Sequence, residues 1–146
     1  MGHKKPKHSY RPNPRKKPRT VEDPTAYRRG SVRWSFEVFD GGIIWHDGAY
    51  VATPFNDIAG HLKSFEQRTW GQVEANRRRD HAVPLEDLVP RALSRLRALN
   101  LDDRDCLLRL RFTGTQRVWG FRRNALFMVL WWDPQHKICP STLGHT

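Results

Sequence analysis

The stretch that decides the fold runs from Leu107 to Ser141 and reads LLRLRFTGTQRVWGFRRNALFMVLWWDPQHKICPS. It contains three runs with the apolar, aromatic and β-branched composition of β-strands. These runs are residues 107–112, 116–122 and 125–132. Thr-Gly-Thr and Arg-Asn turn signals separate the runs, and Asp133-Pro134 ends the last one. The stretch therefore predicts a three-stranded antiparallel meander.

Side chains alternate between the two faces of a strand, so residue numbers sort the meander into faces. In the first strand, Arg109 and Arg111 lie on one face, and Leu108, Leu110 and Phe112 lie on the other. The second strand is mixed on both sides, and its orientation stays open. One side carries Val118 and Arg122, and the other carries Arg117, Trp119 and Phe121.

The third strand, residues 125–132, is apolar on both faces. A strand of this kind is usually central, with layers packed against both of its faces. The alternative is that one face is open and its aromatic rings bind a partner. The sequence leaves both interpretations standing.

Upstream of the meander the pattern predicts one strand and then two or three helices. Residues 31–40 alternate apolar and polar side chains, which is typical of a half-buried strand. Thr53-Pro54 is a helix start, and apolar side chains then recur at helical spacing up to Phe65. A capping-box sequence at residues 69–72 opens a second helix, which extends to about Asn76.

A third helix is predicted near Pro84, with a wide apolar stripe through Leu99. Because proline disrupts a helix interior, its regular part is expected to start at Pro90. The helices must bury these stripes against the sheet. The fold class is therefore α+β, a two-layer domain at residues 31–146 with an N-terminal strand, two or three helices and then the meander.

Residues 1–30 differ from the rest of the chain. They hold ten Lys or Arg residues against two acids, and so carry +8 of the formal net charge of +11. They contain no Leu, Ile or Phe, too little apolar surface to offset the entropy of ordering. We expect a disordered basic arm that either binds RNA phosphates or only aids solubility. Its candidate nucleic-acid-binding residues are Lys4, Lys5, Lys7, Arg11, Arg15, Lys16, Lys17 and Arg19.

Several functional classes lack support in the sequence. There is no apolar run long enough to span a membrane, no apolar core of a secretory signal, and no phosphate loop or dinucleotide-binding glycine motif. Cys106 and Cys139 are too few for a disulfide framework, and His136-x-x-Cys139 falls short of a zinc site. We expect a cytoplasmic protein with no membrane partner, no cofactor and no bound metal.

His81 is predicted to lie in a loop before Val83-Pro84, where it either contacts phosphate or is inert, and we expect it to be inert. His136 follows the last strand in a turn, near the arginines of the meander. Cleavage of RNA without metal requires one group to accept the 2′-hydroxyl proton, one to protonate the leaving 5′-oxygen, and cations to stabilise the charged phosphorus centre. His136 with Arg111, Arg117 and Arg122 is the predicted catalytic set. Arg109 and Trp119 are predicted to bind the nucleic acid by charge and by stacking. Residues 31–146 are rich in arginine, which a GC-rich genome would also produce.

The order of elements from Phe55 to Cys139 resembles the ribosome-dependent RNase toxins of the RelE/HigB type. The segments RLRF, QRVWGFRR and FMVLWW, and the closing His136, carry this resemblance. It implies helices placed before a curved sheet whose open face grips mRNA, with an antitoxin protein as partner. The ending WWDPQHKICPS is also similar to small uncharacterised actinobacterial proteins, a similarity that implies no activity.

Two functions therefore compete. The first is an RNA-associated bacterial protein that acts as a metal-independent endoribonuclease toxin on mRNA at the ribosome. The alternative is a non-catalytic nucleic-acid-binding or adaptor protein, in which the apolar third strand would meet a protein partner.

Overall fold

A computed structural model describes residues 2, 23–41, 55–77 and 80–140. Within these residues the chain is an α+β domain with three α-helices and a five-stranded mixed sheet. In chain order the elements are β1 (Arg33–Ser35), α1 (Phe55–Glu66), α2 (Trp70–Ala75), β2 (His81–Pro84), α3 (Pro90–Ala98), β3 (Cys106–Arg111), β4 (Arg117–Arg123) and β5 (Leu126–Asp133).

The predicted meander forms the interior of the sheet. Strands β3, β4 and β5 pair antiparallel to one another, and the strand order across the sheet is β1-β5-β4-β3-β2. The short strand β1 adds to β5 in parallel, and β2 adds to β3 antiparallel at the opposite edge. The meander is therefore confirmed as part of a larger sheet.

Helices cover both faces of this sheet, so the expected two-layer arrangement is wrong. Helices α1 and α2 pack on one face, where Phe65 and Trp70 meet Phe127 of β5. Helix α3 packs on the other face, where Leu96 meets Trp119 and other side chains of the meander. The physical reason lies in β5, because a strand apolar on both sides needs a layer against each. The covered interpretation of the third strand is confirmed.

The helix boundaries follow the predicted signals where the structure describes them. The Thr69 side chain accepts a hydrogen bond from the backbone N–H of Gln72, whose side chain accepts one from the Thr69 N–H, which completes the capping box of α2. Helix α3 begins at Pro90, where the missing N–H of proline costs nothing. The expected start of α1 at Thr53-Pro54 lies outside the described residues.

Three expectations about the first half of the chain need correction. The strand expected over residues 31–40 forms only at Arg33–Ser35, with an isolated bridge from Ser31 to Thr69, and Phe36 beyond it is exposed. Residues 23–30, expected in the arm, include a short 3-10 helix whose Tyr27 ring packs edge-on against Trp70. His81, expected in a loop, begins β2. Pro84 at the end of that strand is tolerated because β2 is an edge strand.

Within the described ranges, none of the helices combines the length and the apolar composition that crossing a membrane requires.

Candidate functional site

Two neighbouring rows of cross-strand pairs bring cationic side chains together on the α3 side of the sheet. In one row His81 of β2 lies opposite Arg109 of β3. In the next row Arg111 of β3 lies opposite Arg117 of β4, which lies opposite Asp133 of β5. Opposed side chains have Cβ atoms about 5 Å apart. Three guanidinium groups from two strands are therefore concentrated at this end of the sheet.

The turn after β5 adds His136 to the same cluster. The carboxylate of Asp133 accepts hydrogen bonds from the backbone N–H groups of Lys137, at 2.8 Å, and Ile138, at 3.1 Å. It also accepts one from Trp119 Nε1 at 3.1 Å, which ties the turn to the core. His136 adopts φ 55°, the left-handed conformation that reverses the chain. Asp133 is therefore the residue that folds the turn and holds His136 over β3.

Arg109 lies between two imidazole rings. Its Nη1 is 3.3 Å from Nε2 of His136, and its Nη2 is 3.3 Å from Nδ1 of His81. A guanidinium group has only donors, so each of these ring nitrogens must present a lone pair to it. Both histidines are therefore neutral in this geometry. We call the group of Arg109, Arg111, Arg117, His81 and His136 the cationic cluster.

The charges of the cluster disfavour protonation of its histidines. Burial, and then the charges of Arg117, Arg109 and Arg111, lower the pKa of His136 from 6.5 to about 4. Burial and then the charge of Arg109 also lower the pKa of His81. Burial likewise lowers the pKa of Arg109, whose guanidinium nevertheless stays charged in the physiological range.

Two buried carboxylates lie beside the cationic cluster and only partly offset its charge. Asp80 accepts a hydrogen bond from the backbone N–H of Arg111 at 3.0 Å, and Asp133 is bonded to the turn. Burial raises the pKa of Asp133, against the effect of its hydrogen bonds. Among these described groups, three guanidinium groups and two carboxylates beside neutral histidines give a net charge of +1. One monoanionic group, such as a phosphodiester, would balance it.

The arginines of the cluster differ in how well they can reach a ligand. Arg117 is only 7% exposed, and its Nη1 donates to the carbonyl oxygens of Gly114 and Gln116 at 2.7 and 3.1 Å. Arg109 and Arg111 are half-buried. Within the described residues, their buried Nε atoms have no hydrogen-bond partner. Buried donors of this kind usually have an acceptor, which water or an anion can supply, so Arg109 and Arg111 are candidate ligands of an anion.

Arg122, predicted in the catalytic set, does not join the cluster. It lies opposite Phe127 on the α2 side of the sheet, and its guanidinium stacks on the Tyr27 ring at 3.3 Å from the ring centroid. Arg122 is five positions after Arg117, an odd spacing that sends the two side chains to opposite faces. The prediction for Arg122 is therefore wrong in position, whereas Arg111, Arg117 and His136 do come together.

Trp119, predicted to stack on bases, is completely buried. It packs beneath α3, and its indole N–H is bonded to Asp133. The sheet therefore offers no stacking ring at this position. The arm residues predicted to bind nucleic acid, Lys4 through Arg19, lie outside the described residues.

No group of three or more His, Cys, Asp or Glu side chains is placed to hold a metal ion within the described ranges. Cys106 and Cys139 are free thiols.

Sequence reasoning missed two members of this site. His81 was expected to be inert, although the apolar Ala-Val pair after it has strand propensity and could have extended the sheet. Asp133 was treated only as a strand terminator. An aspartate before proline is also a residue whose side chain bonds to backbone N–H groups further along a turn, and that signal could have identified it.

Comparisons of this chain with protein-family models, with curated proteins and with solved structures gave no match. The resemblance to RelE/HigB-type toxins therefore remains a prediction.

Proposed function

We propose that this protein is an RNA-binding endoribonuclease that works without a metal ion and holds the scissile phosphate at Arg109 and Arg111. The observation that carries this proposal is the position of Arg109 between His81 and His136 at 3.3 Å from each. In this arrangement a guanidinium that can stabilise negative charge lies within reach of two imidazoles that can transfer protons. That is the set of groups that transfer of a phosphoryl group to the 2′-hydroxyl of RNA requires.

The charge and hydrogen-bonding state of the site support a phosphodiester as its ligand. The net charge of +1 beside the neutral histidines matches the single negative charge of a diester. The unpaired Nε donors of Arg109 and Arg111 supply directional contacts, and guanidinium groups suit phosphate geometry. Buried Arg117 adds positive potential and fixes the turn between β3 and β4.

The basic N-terminal segment supports RNA as the polymer. Its residues carry most of the formal net charge of the chain and would bind phosphates along the strand without sequence preference. In this proposal the segment raises the local concentration of RNA, whereas the cationic cluster selects one phosphate.

The RelE-like toxin assignment belongs to the same proposal, with mRNA at the ribosome as substrate, an antitoxin as partner and the cytoplasm as location. In the described part of the chain three helices, α1 to α3, come before the β3–β4–β5 meander, and this order supports a RelE-like architecture. The placement of α3 on the second face leaves only the end of that face, near the cationic cluster, for RNA. If the protein is a toxin, its expression will arrest growth, and His136→Ala will restore it.

The test compares cleavage and binding of a single-stranded RNA by the full chain and two matched variants. Arg109→Gln is expected to weaken binding of a 2′-deoxy analogue by about 10- to 100-fold, the effect of one lost charged hydrogen-bonding group. Arg122→Gln makes the same chemical change on the opposite face and is expected to leave binding unchanged. Binding is measured by fluorescence anisotropy at about 0.2 M salt, where the contribution of the arm is reduced.

Cleavage is measured with EDTA present, and the expected product carries a 2′,3′-cyclic phosphate. Cleavage that vanishes with EDTA would contradict the metal-free proposal. Binding that depends on Arg109 without any cleavage would identify the alternative, a non-catalytic nucleic-acid-binding protein. The adaptor version of that alternative cannot use β5 as its docking surface, because layers cover both faces of this strand.

A further inference from the structure

We infer that His81 is the second catalytic residue of this site: it protonates the departing 5′-oxygen of RNA, while His136 accepts the proton of the attacking 2′-hydroxyl. This inference rests on the proposed function and names the division of labour within it. His81 enters from the edge strand β2 and His136 from the turn after β5, so they approach Arg109 from different elements.

The geometry places the two histidines on either side of one cation. Nη1 and Nη2 of Arg109 each face one imidazole nitrogen at 3.3 Å. A phosphate bound to Arg109 would displace these weak contacts and leave one ring on each side of the phosphorus. Attack and departure in a phosphoryl transfer occur roughly in line, on opposite sides of the phosphorus. Two imidazoles that contact different nitrogens of one cation can therefore serve the two ends of that path.

The surroundings of the two rings assign their roles. His136 is close to all three guanidinium groups, and burial together with their charges lowers its pKa, so it is neutral and ready to act as the base. His81 lies at the sheet edge, where Arg109 is the first charge that affects it. A bound phosphodiester would offset that charge and favour protonated His81. His81 is therefore the general acid, because the bound substrate favours its protonated form.

The proposed step balances without any co-reactant. The 2′-oxygen forms a bond to phosphorus as its proton passes to His136, and the bond from phosphorus to the 5′-oxygen breaks as that oxygen takes the proton of His81. The products are a 2′,3′-cyclic phosphate and a 5′-hydroxyl. Exchange with water then returns both histidines to their starting states.

The experiment uses the full chain and a short RNA whose scissile 5′-oxygen is replaced by sulfur. A thiolate leaves without protonation, so this substrate does not need the acid. His81→Gln is expected to slow cleavage of the ordinary RNA by about 100-fold or more, within the usual range for general acid catalysis, and to leave the sulfur substrate nearly unaffected. His136→Gln is expected to slow cleavage of both substrates.

Several outcomes would overturn the assignment. One such outcome is that His81→Gln cleaves the ordinary RNA at the unaltered rate. Another is that His81→Gln loses cleavage rate equally on both substrates although it still binds the 2′-deoxy analogue. If His81→Gln does not fold, the pH profile of the unaltered protein decides. An alkaline decline is expected with the oxygen substrate and not with the sulfur substrate, and identical profiles would contradict the inference. Failure of the unaltered protein to cleave either RNA would instead overturn the proposed function.

Discussion

Asp40 and Arg95 form a two-point ion pair that joins the segment after β1 to helix α3. Arg95 Nε lies 2.8 Å from one carboxylate oxygen of Asp40, and its Nη2 lies 2.7 Å from the other. The first of these oxygens also accepts a hydrogen bond from the indole N–H of buried Trp131 at 3.0 Å. One carboxylate thus links the β1 edge, the helix and the sheet.

Asp40→Ala is therefore expected to destabilise the fold. Asp40 is 9% exposed, and its removal takes away the acceptor that Trp131 Nε1 uses, so we expect a loss of about 2–3 kcal/mol in the free energy of unfolding. Urea denaturation measures it. The matched control is Glu37→Ala, which breaks the exposed Arg123–Glu37 pair and should change stability by less than about 0.5 kcal/mol. Equal effects of both variants would contradict this account of Asp40.

Gly120 is expected to tolerate no side chain. A Cβ atom there would lie 2.0 Å from the carbonyl oxygen of Met128 and 2.8 Å from the Phe127 ring, beside the bulge between β4 and β5. Gly120→Ala should therefore cost more than about 3 kcal/mol or prevent folding, since backbone must move. Gly60 in α1 has open space around its Cβ position, and Gly60→Ala should stabilise the protein by about 0.5–1 kcal/mol. Thermal unfolding should show a lower midpoint for Gly120→Ala and a higher midpoint for Gly60→Ala.

Stability should fall as the pH is lowered from 6.5 towards 4. In the unfolded chain His136 takes up a proton near 6.5, whereas in the folded protein its pKa is about 4, so protons favour the unfolded state in this window. The loss should be roughly 1–2 kcal/mol, after allowance for solvent screening of a partly exposed ring. The groups that lower the pKa of His136 are Arg117, Arg109, Arg111 and His81.

His136→Gln should remove most of this pH dependence, as measured by urea midpoints across the window. His81 contributes with the same sign because its pKa is also lowered. Asp133 acts in the opposite direction, since its raised pKa makes stability decline as the pH rises above 3.8. If the pH dependence of stability is unchanged in His136→Gln, the site does not lower the pKa of this histidine.

The boundary of the folded domain can be tested by truncation. Removal of residues 1–22 should leave the unfolding midpoint unchanged and reduce the salt dependence of RNA binding. Removal of residues 1–30 should destabilise the domain, because Tyr27 packs on Trp70 and bonds to Glu74, and the Gly30 carbonyl accepts the Trp70 N–H. Equal midpoints for the two truncations would place the boundary at residue 30 instead.

The features that the sequence could predict are those encoded by neighbouring residues. The capping box at Thr69, the helix start at Pro90 and the three strands of the meander each depend on a local pattern, and all three are present. The site was predicted in part for the same reason, since Arg109 and Arg111 share a strand face by parity alone.

The features that sequence reasoning missed depend on contacts between distant segments. Strand β2 has four residues and ends in proline, so only its pairing with β3 makes it a strand. The side of the sheet that each helix covers is set by packing and not by its own periodicity. His81 and His136 are 55 positions apart, and only the register of β2 on β3 and the turn folded by Asp133 bring them to Arg109.

Because the cationic cluster is assembled from β2, β3, β4 and the turn after β5, the proposed cleavage would depend on the completion of folding. During synthesis the arginines emerge well before the segment that carries His136. Under the proposed function, a nascent chain that ends before β5 has the charge to hold RNA but lacks the proposed base, so it should not cleave RNA until the final strand pairs with β4.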